Sequence, residues 1–144
     1  MSGYLLDTNV LSEILKKRPE PRVIERLAAL PSRAVATSVI CVAELRHGAA
    51  RRPQHTGLWT RIARDVLPRV SILPIHEAEA IRAGDLLASL ESMGKPIGLE
   101  DVLIGATALE NRLAVVTRNT RHFRQIPGLA VESWWPDAAA ENDR

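Results

Sequence analysis

The chain has 144 residues, 46% hydrophobic and 25% charged, which suits one domain with a single core and excludes a disordered tail protein. The formal net charge is +2, and the basic residues are mostly arginine, whose planar fork suits phosphate and carboxylate partners. No run approaches a membrane span, the start MSGYLLDTN lacks a secretory pattern, and the single Cys41 excludes an internal disulfide or Cys/His zinc site, so a cytoplasmic chain is expected.

Residues 4–6 form an apolar run that breaks at Asp7-Thr8-Asn9, before the helical spacing of Val10, Leu11, Ile14 and Leu15. A strand and then a helix are predicted. A second helix follows Pro19-Glu20-Pro21, runs through Val23, Ile24, Leu27 and Leu30, and stops at Pro31. Residues 34–36 read as a strand, and Thr37 or Ser38 caps a third helix from Val39 to about Ala49. The polar segment 51–57 is an exposed loop or hairpin; its Arg51-Arg52 is a solvated charged pair or, on the minority reading, a phosphate contact.

Further on, a fourth helix is predicted over 58–67, a strand over 70–75, a fifth helix over 77–92 and a turn over 93–96. A sixth helix spans 99–111, followed by a strand over 113–117, a short helical stretch over 122–125 and a last strand over 129–132. Strands alternating with helices in this way imply an α/β fold with a mostly parallel sheet covered on both faces.

Three acids stand where apolar residues are expected, and a carboxylate in a core costs several kcal/mol unless something positive meets it. Glu44 interrupts Val39-Ile-Cys-Val-Ala-Glu44-Leu45, a stretch apolar all round and so expected to be buried, while Cys41 reads as core filling. Asp101 opens the apolar stretch 101–109, with Gly105 and Ala108 on its own face allowing another backbone to approach closely. Asp7 ends the first strand, at the sheet edge where open parallel sheets bind ligands. Asn119 follows the strand over 113–117 and offers an amide in a fourth such position.

If these groups converge, an all-oxygen donor set selects hard cations such as Mg²⁺ or Mn²⁺, which orient water for phosphodiester displacement. Structural roles account for some of the same residues: Asp7 also fits a strand-end cap, and Glu100 and Asp101 also suit the positive end of the sixth helix. For Glu44 such a role is weakest, since it stands mid-helix with no dipole to complement. His47 reads as a helix-surface or partner-facing residue, and His55, His76 and His122 as isolated surface or turn residues. With aromatics at 3%, a base-stacking surface is hard to build, so RNA contact is expected mainly along the backbone.

Leu5-Leu-Asp7-Thr-Asn9-Val-Leu-Ser-Glu13, Ser38-Val-Ile-Cys-Val-Ala-Glu44-Leu-Arg-His-Gly48, Glu100-Asp101-Val-Leu-Ile-Gly-Ala-Thr-Ala108 and Val116-Thr-Arg-Asn119 resemble the four motifs of PIN domains. In order, spacing and length the chain resembles the VapC-type toxins of bacterial toxin-antitoxin pairs, especially the FitB-like branch. The resemblance implies a three-layer α/β/α sandwich over residues 1–136, with a polar tail over 137–144.

It also implies an Mg²⁺- or Mn²⁺-dependent endoribonuclease in which Asp7, Glu44 and Asp101 are the acidic metal-binding residues. Asn119 stands at the fourth acidic position, where many members carry aspartate, a departure that bears on whether a second metal is held. Thr117, Asn9 and Ser38 match polar supports of the site. The implied partners are RNA, a second copy of the chain, and a VapB-type antitoxin whose C-terminal segment crosses the acidic pocket and through which the complex binds operator DNA. Two other functions fit the residues: a PIN fold that binds RNA or a partner without cutting, and a metal-dependent phosphohydrolase of small phosphate esters.

Overall fold

In the computed structural model, which describes residues 3–136, the first apolar run forms β1 (Gly3–Leu6), its two leucines wholly buried. It is flanked by β2 (Val35–Ser38), buried throughout, and by β4 (Leu113–Val116). The edges are β3 (Ser71–Leu73), paired to β2, and β5 (Val131–Glu132), paired to β4. Every pairing is parallel, in the order β3-β2-β1-β4-β5. Strands shielded on both faces explain why the inner ones read as continuous apolar runs.

Helices α1 (Thr8–Ile14) and α2 (Pro21–Ala29) connect β1 to β2, and α3 (Val39–Ala50) and α4 (Leu58–Arg61) connect β2 to β3. The chain then crosses back through α5 (Glu77–Ser92) and α6 (Leu99–Glu110) to β4, and through α7 (Thr120–Phe123) to β5. With the strand order known, the right-handed rule for parallel crossovers puts the first four helices on one face and the last three on the other, the predicted three-layer arrangement. The strand order reverses between β1 and β4, which opens a crevice beyond their carboxyl ends. Asp7 and Thr117, the residues that follow these two strands, stand at that crevice. The predicted tail over 137–144 lies outside the described residues.

Several element bounds differ from the sequence expectation, each for a local reason. The strand predicted over 34–36 runs later, as Val35–Ser38, with Ser38 Oγ accepting from the Ile40 amide at 2.8 Å to cap α3. The helix predicted over 58–67 is α-helical only to Arg61; the Leu67 N–H reaches back five residues to the Ile62 carbonyl. Pro68, without an N–H to continue the ladder, is followed by only a tight turn to Arg69. The two edge strands are shorter than predicted because each has one partner, and Pro74 follows β3 directly. The stretch predicted over 122–125 is helical at Thr120–Phe123 instead. No helix among the described residues is long and apolar enough to cross a membrane.

Gly105 does allow a close approach, though of a side chain rather than a backbone. A Cβ there would meet Ile126 Cδ1 at 2.5 Å. Gly105→Ala should therefore cost about 1–2 kcal/mol by overpacking, and Ile126→Val, which removes that methyl, should restore most of the loss. Urea unfolding of the two single variants and the double variant reads this directly; equal losses with and without Ile126→Val would place the strain elsewhere.

Candidate active site

Asp7 emerges from β1 and caps α1, and its two carboxylate oxygens are separately held: Oδ1 accepts from the Thr8 amide at 2.8 Å and Oδ2 from the Thr117 hydroxyl at 2.9 Å. Thr117 is wholly buried and is itself fixed by donors, the Asn119 amide at 2.9 Å and Asn9 Nδ2 at 3.3 Å. Asn9 Oδ1 accepts from the Arg118 amide at 3.1 Å, so the turn after β4 is laced to the start of α1. With Asp7 N–H bonded to the Val116 carbonyl at 2.9 Å, the two strand ends form one rigid platform.

Glu44 comes from the second turn of α3, whose buried residues are Cys41, Leu45 and Ala49. The expectation of a helix buried all round fails there: Val39 is 37% exposed, Ala43 is exposed, and Glu44 is partly exposed where it faces a cavity. Cys41 is core filling, as predicted, and more, because its Sγ lies 4.0 Å from Asp7 Oδ1. Ligand atoms of Asp7, Cys41 and Glu44 all lie within 4.8 Å of one another.

Asp101, in the first turn of α6, lines the same 450 Å³ cavity as Asp7, Glu44 and Asn119. It stands outside the tight cluster, but its charge reaches both of the other acids. The exposed Asn119 side chain makes no hydrogen bond to another described residue; its backbone serves Thr117.

Burial raises the Asp7 pKa above the ordinary carboxylate value; the Thr117 and Thr8 bonds oppose it, and the charge of Asp101 adds to it. Burial likewise raises Glu44, reinforced by the charges of Asp7, Glu100 and Asp101. Neither acid is paired with a cation among the described residues. Burial pushes the Cys41 thiol up to about 11, so it stays protonated at neutral pH and the donor set is oxygen. Beside these acids, Thr8 Oγ1 is buried without a hydrogen-bond partner. An oxygen set with excess negative charge and an orphaned hydroxyl fits a hard divalent cation.

Other neighbours escape the sequence reading. Glu13, in α1, is 4% exposed, binds Lys16 Nζ at 2.9 Å and accepts from the Glu20 amide at 3.0 Å, which fixes the segment leading into α2. Trp135 returns to the cavity wall from beyond β5, with the Arg118 guanidinium 5.4 Å from its ring centroid. His122 is not isolated: its Nδ1 lies 3.4 Å from Asp101 Oδ2. The histidine follows the site's last motif by three residues, which is its one sequence signal.

The PIN domain family profile matches residues 4–129. The chain is 38% identical over 138 residues to the toxin FitB of Neisseria gonorrhoeae, covering 92% of this chain and 99% of the relative. It is 32% identical over 136 residues to the tRNA(fMet)-specific endonuclease VapC of Salmonella typhimurium, covering 93% and 99%. The solved structure of DNA-bound VapBC from Salmonella typhimurium superposes with a TM-score of 0.82 at 31% identity, over 93% of this chain and 99% of the other. Four motifs brought to one crevice, on a matching fold and with relatives aligned over nearly their whole length, place this chain in the VapC-type ribonuclease branch of the PIN domain family.

Proposed function

We propose that the domain is a Mg²⁺- or Mn²⁺-dependent endoribonuclease and the toxin member of a VapBC-type pair, working in the cytoplasm. Convergence of Asp7, Glu44 and Asp101 on one cavity, without a paired cation on Asp7 or Glu44 among the described residues, carries this assignment. These three acids would hold the metal, which when bound supplies charge stabilisation and an acidified water for attack on a phosphodiester.

The chain's own groups then divide the work. Asp7 is immobilised by Thr8 and Thr117 and fixes the geometry. Glu44, partly exposed and with a raised pKa, is suited to accept a proton from the attacking water. Asp101 closes the far wall beside His122. The names of its relatives support RNA as substrate, and the VapBC complex on DNA supports an antitoxin partner that carries operator binding. A homodimer belongs to the same proposal.

Incubation of the purified protein with end-labelled RNA should give discrete fragments in Mn²⁺ and none in EDTA; intact RNA in both overturns the assignment. Turnover of a small phosphate ester at a comparable rate would favour the phosphohydrolase. Asn119→Asp should lower the Mn²⁺ concentration for half-maximal cleavage severalfold, mostly above neutral pH, where a fourth carboxylate stays charged. Calorimetric Mn²⁺ titration checks this, and unchanged affinity and stoichiometry would give Asn119 a purely structural role.

A further inference from the structure

We infer that the cleft leading from the carboxylates along α3 to the 51–57 loop holds the phosphate backbone of the RNA on one side of the cleavage point; this rests on the nuclease reading. A phosphodiester inside a chain reaches Asp7, Glu44 and Asp101 only if the flanking nucleotides on both sides have a way out of the cavity. Among the described residues, two clefts share walls with it. One shares Glu13, Lys16, Arg118 and Trp135 with the cavity and is walled by residues of mixed charge, Arg18 and Glu20 among them. The other, of 430 Å³, shares Thr8, Ser12, Lys16 and Glu44 with the cavity and continues between α3 and α4 to Arg51, Arg52 and Arg61.

That second cleft carries four basic side chains, Lys16, Arg51, Arg52 and Arg61, against one carboxylate, Glu44, at its cavity end. Lys16 is paired with Glu13, and Arg61 donates to the Leu15 carbonyl at 3.1 Å. Arg51 and Arg52 are exposed and make no side-chain hydrogen bond or ion pair among the described residues. They are therefore available to an outside anion. Glu44 lies in α3 and Arg51 is the C-cap of that helix, seven residues on, so the Arg51 backbone lies about 10 Å along the axis from that of Glu44, on the same side.

Leu45, Ala49, Leu58 and Ile62 line the cleft and offer no side-chain donors or acceptors to base edges. Thr8 and Ser12, shared with the cavity, and His55 are the cleft's other polar groups, and two guanidinium groups unpartnered among the described residues over this apolar stretch favour a sequence-independent hold on phosphates, which positions the strand without choosing its sequence.

The test compares two arginine pairs by fluorescence anisotropy, using an end-labelled RNA oligonucleotide without secondary structure and Asp101→Asn protein in EDTA to suppress cutting. Arg51→Ala/Arg52→Ala removes the cleft pair. Arg33→Ala/Arg69→Ala removes equal charge from the turns that precede β2 and β3, at the amino ends of the strands, and neither residue lines the cleft or the acidic cavity.

Each phosphate contact on a single strand contributes about 0.7 to the slope of log affinity against log salt. The cleft pair should thus flatten the slope by about 1.4 and weaken binding on the order of tenfold at about 0.15 M salt, while the control pair matches its parent. Equal slopes and affinities for the two pairs overturn the inference. So does a cleft pair that binds RNA like its parent but loses its co-expressed antitoxin, which would assign the cleft to a protein. The nuclease reading is scored separately, by cleavage with the wild-type protein in Mn²⁺, so its failure is distinct from that of the cleft.

Discussion

Asp7→Asn should reduce RNA cleavage by about 10³-fold or more and, unlike Glu44→Gln, should leave the metal-free protein no more stable than wild type. The catalytic loss follows from removing one charge from the group that holds the cation, whose stabilisation of the transition state amounts to several kcal/mol. The stability contrast follows from the hydrogen bonds. Both substitutions relieve repulsion among clustered acids, but Asp7 is also a double acceptor, from the Thr8 amide and the Thr117 hydroxyl.

An amide has one acceptor end, so in either orientation its NH₂ group faces a donor. The Thr117 hydroxyl cannot simply turn to accept, since Asn119 N and Asn9 Nδ2 already donate to it. That mismatch costs about 1–3 kcal/mol. Glu44 has no such pair of fixed donors: only the Thr8 hydroxyl approaches it, and a glutamine oxygen can still face that group, so Glu44→Gln relieves repulsion at little cost and should raise the melting temperature in EDTA by about 4 °C per kcal/mol gained. Equal stabilisation by both variants would mean that Thr117 does not hold Asp7 as described.

The same contrast shows which parts of the site a one-dimensional reading can reach. Asp7, Glu44 and Asp101 are legible because each breaks an apolar run or ends a strand, so its cost calls for a partner. Glu13 is not legible. With Lys16 three residues on, it looks like a surface helix pair, and its burial appears only when the segment before α2 folds back to donate the Glu20 amide. Trp135 is separated from the first motif by most of the chain and reaches the cavity through the pairing of β5.

The apolar run of α3 overstates the burial of that helix for a related reason. A run of apolar residues does not say which side meets the sheet, and the side that carries Val39 and Ala43 is left in solvent. The inner strands were legible as continuous apolar runs; the edge strands were not bounded well, because half of their backbone pairing is absent and proline or a turn decides where they stop.

Two sets of carboxylates with opposite shifts should give the metal-free protein a stability that first rises and then falls as pH is lowered from neutrality. Asp7 and Glu44 have raised pKa values, so their ionised forms cost stability at neutral pH, and that cost disappears as pH falls through the raised values toward the ordinary ones of 3.8 and 4.5. Glu13 has the opposite sign. Burial works against its charge, but the Lys16 bond and the Glu20 amide outweigh it and hold its pKa below the ordinary 4.5.

The stability that Glu13 contributes is therefore present above pH 4.5 and lost as pH falls through its lowered folded value. Urea unfolding in EDTA across this range should show the maximum on the acid side of neutrality. Glu44→Gln should flatten the neutral limb, leaving the acid limb in place. Glu13→Gln should flatten the acid limb and cost about 1 kcal/mol at neutral pH, since charge-assisted bonds to the exposed Lys16 and to the part-buried Glu20 amide are weakened together. A wild-type curve that only declines from pH 7 downward would show that clustering of the acids does not burden the metal-free fold, and would remove the electrostatic basis for a cation between them.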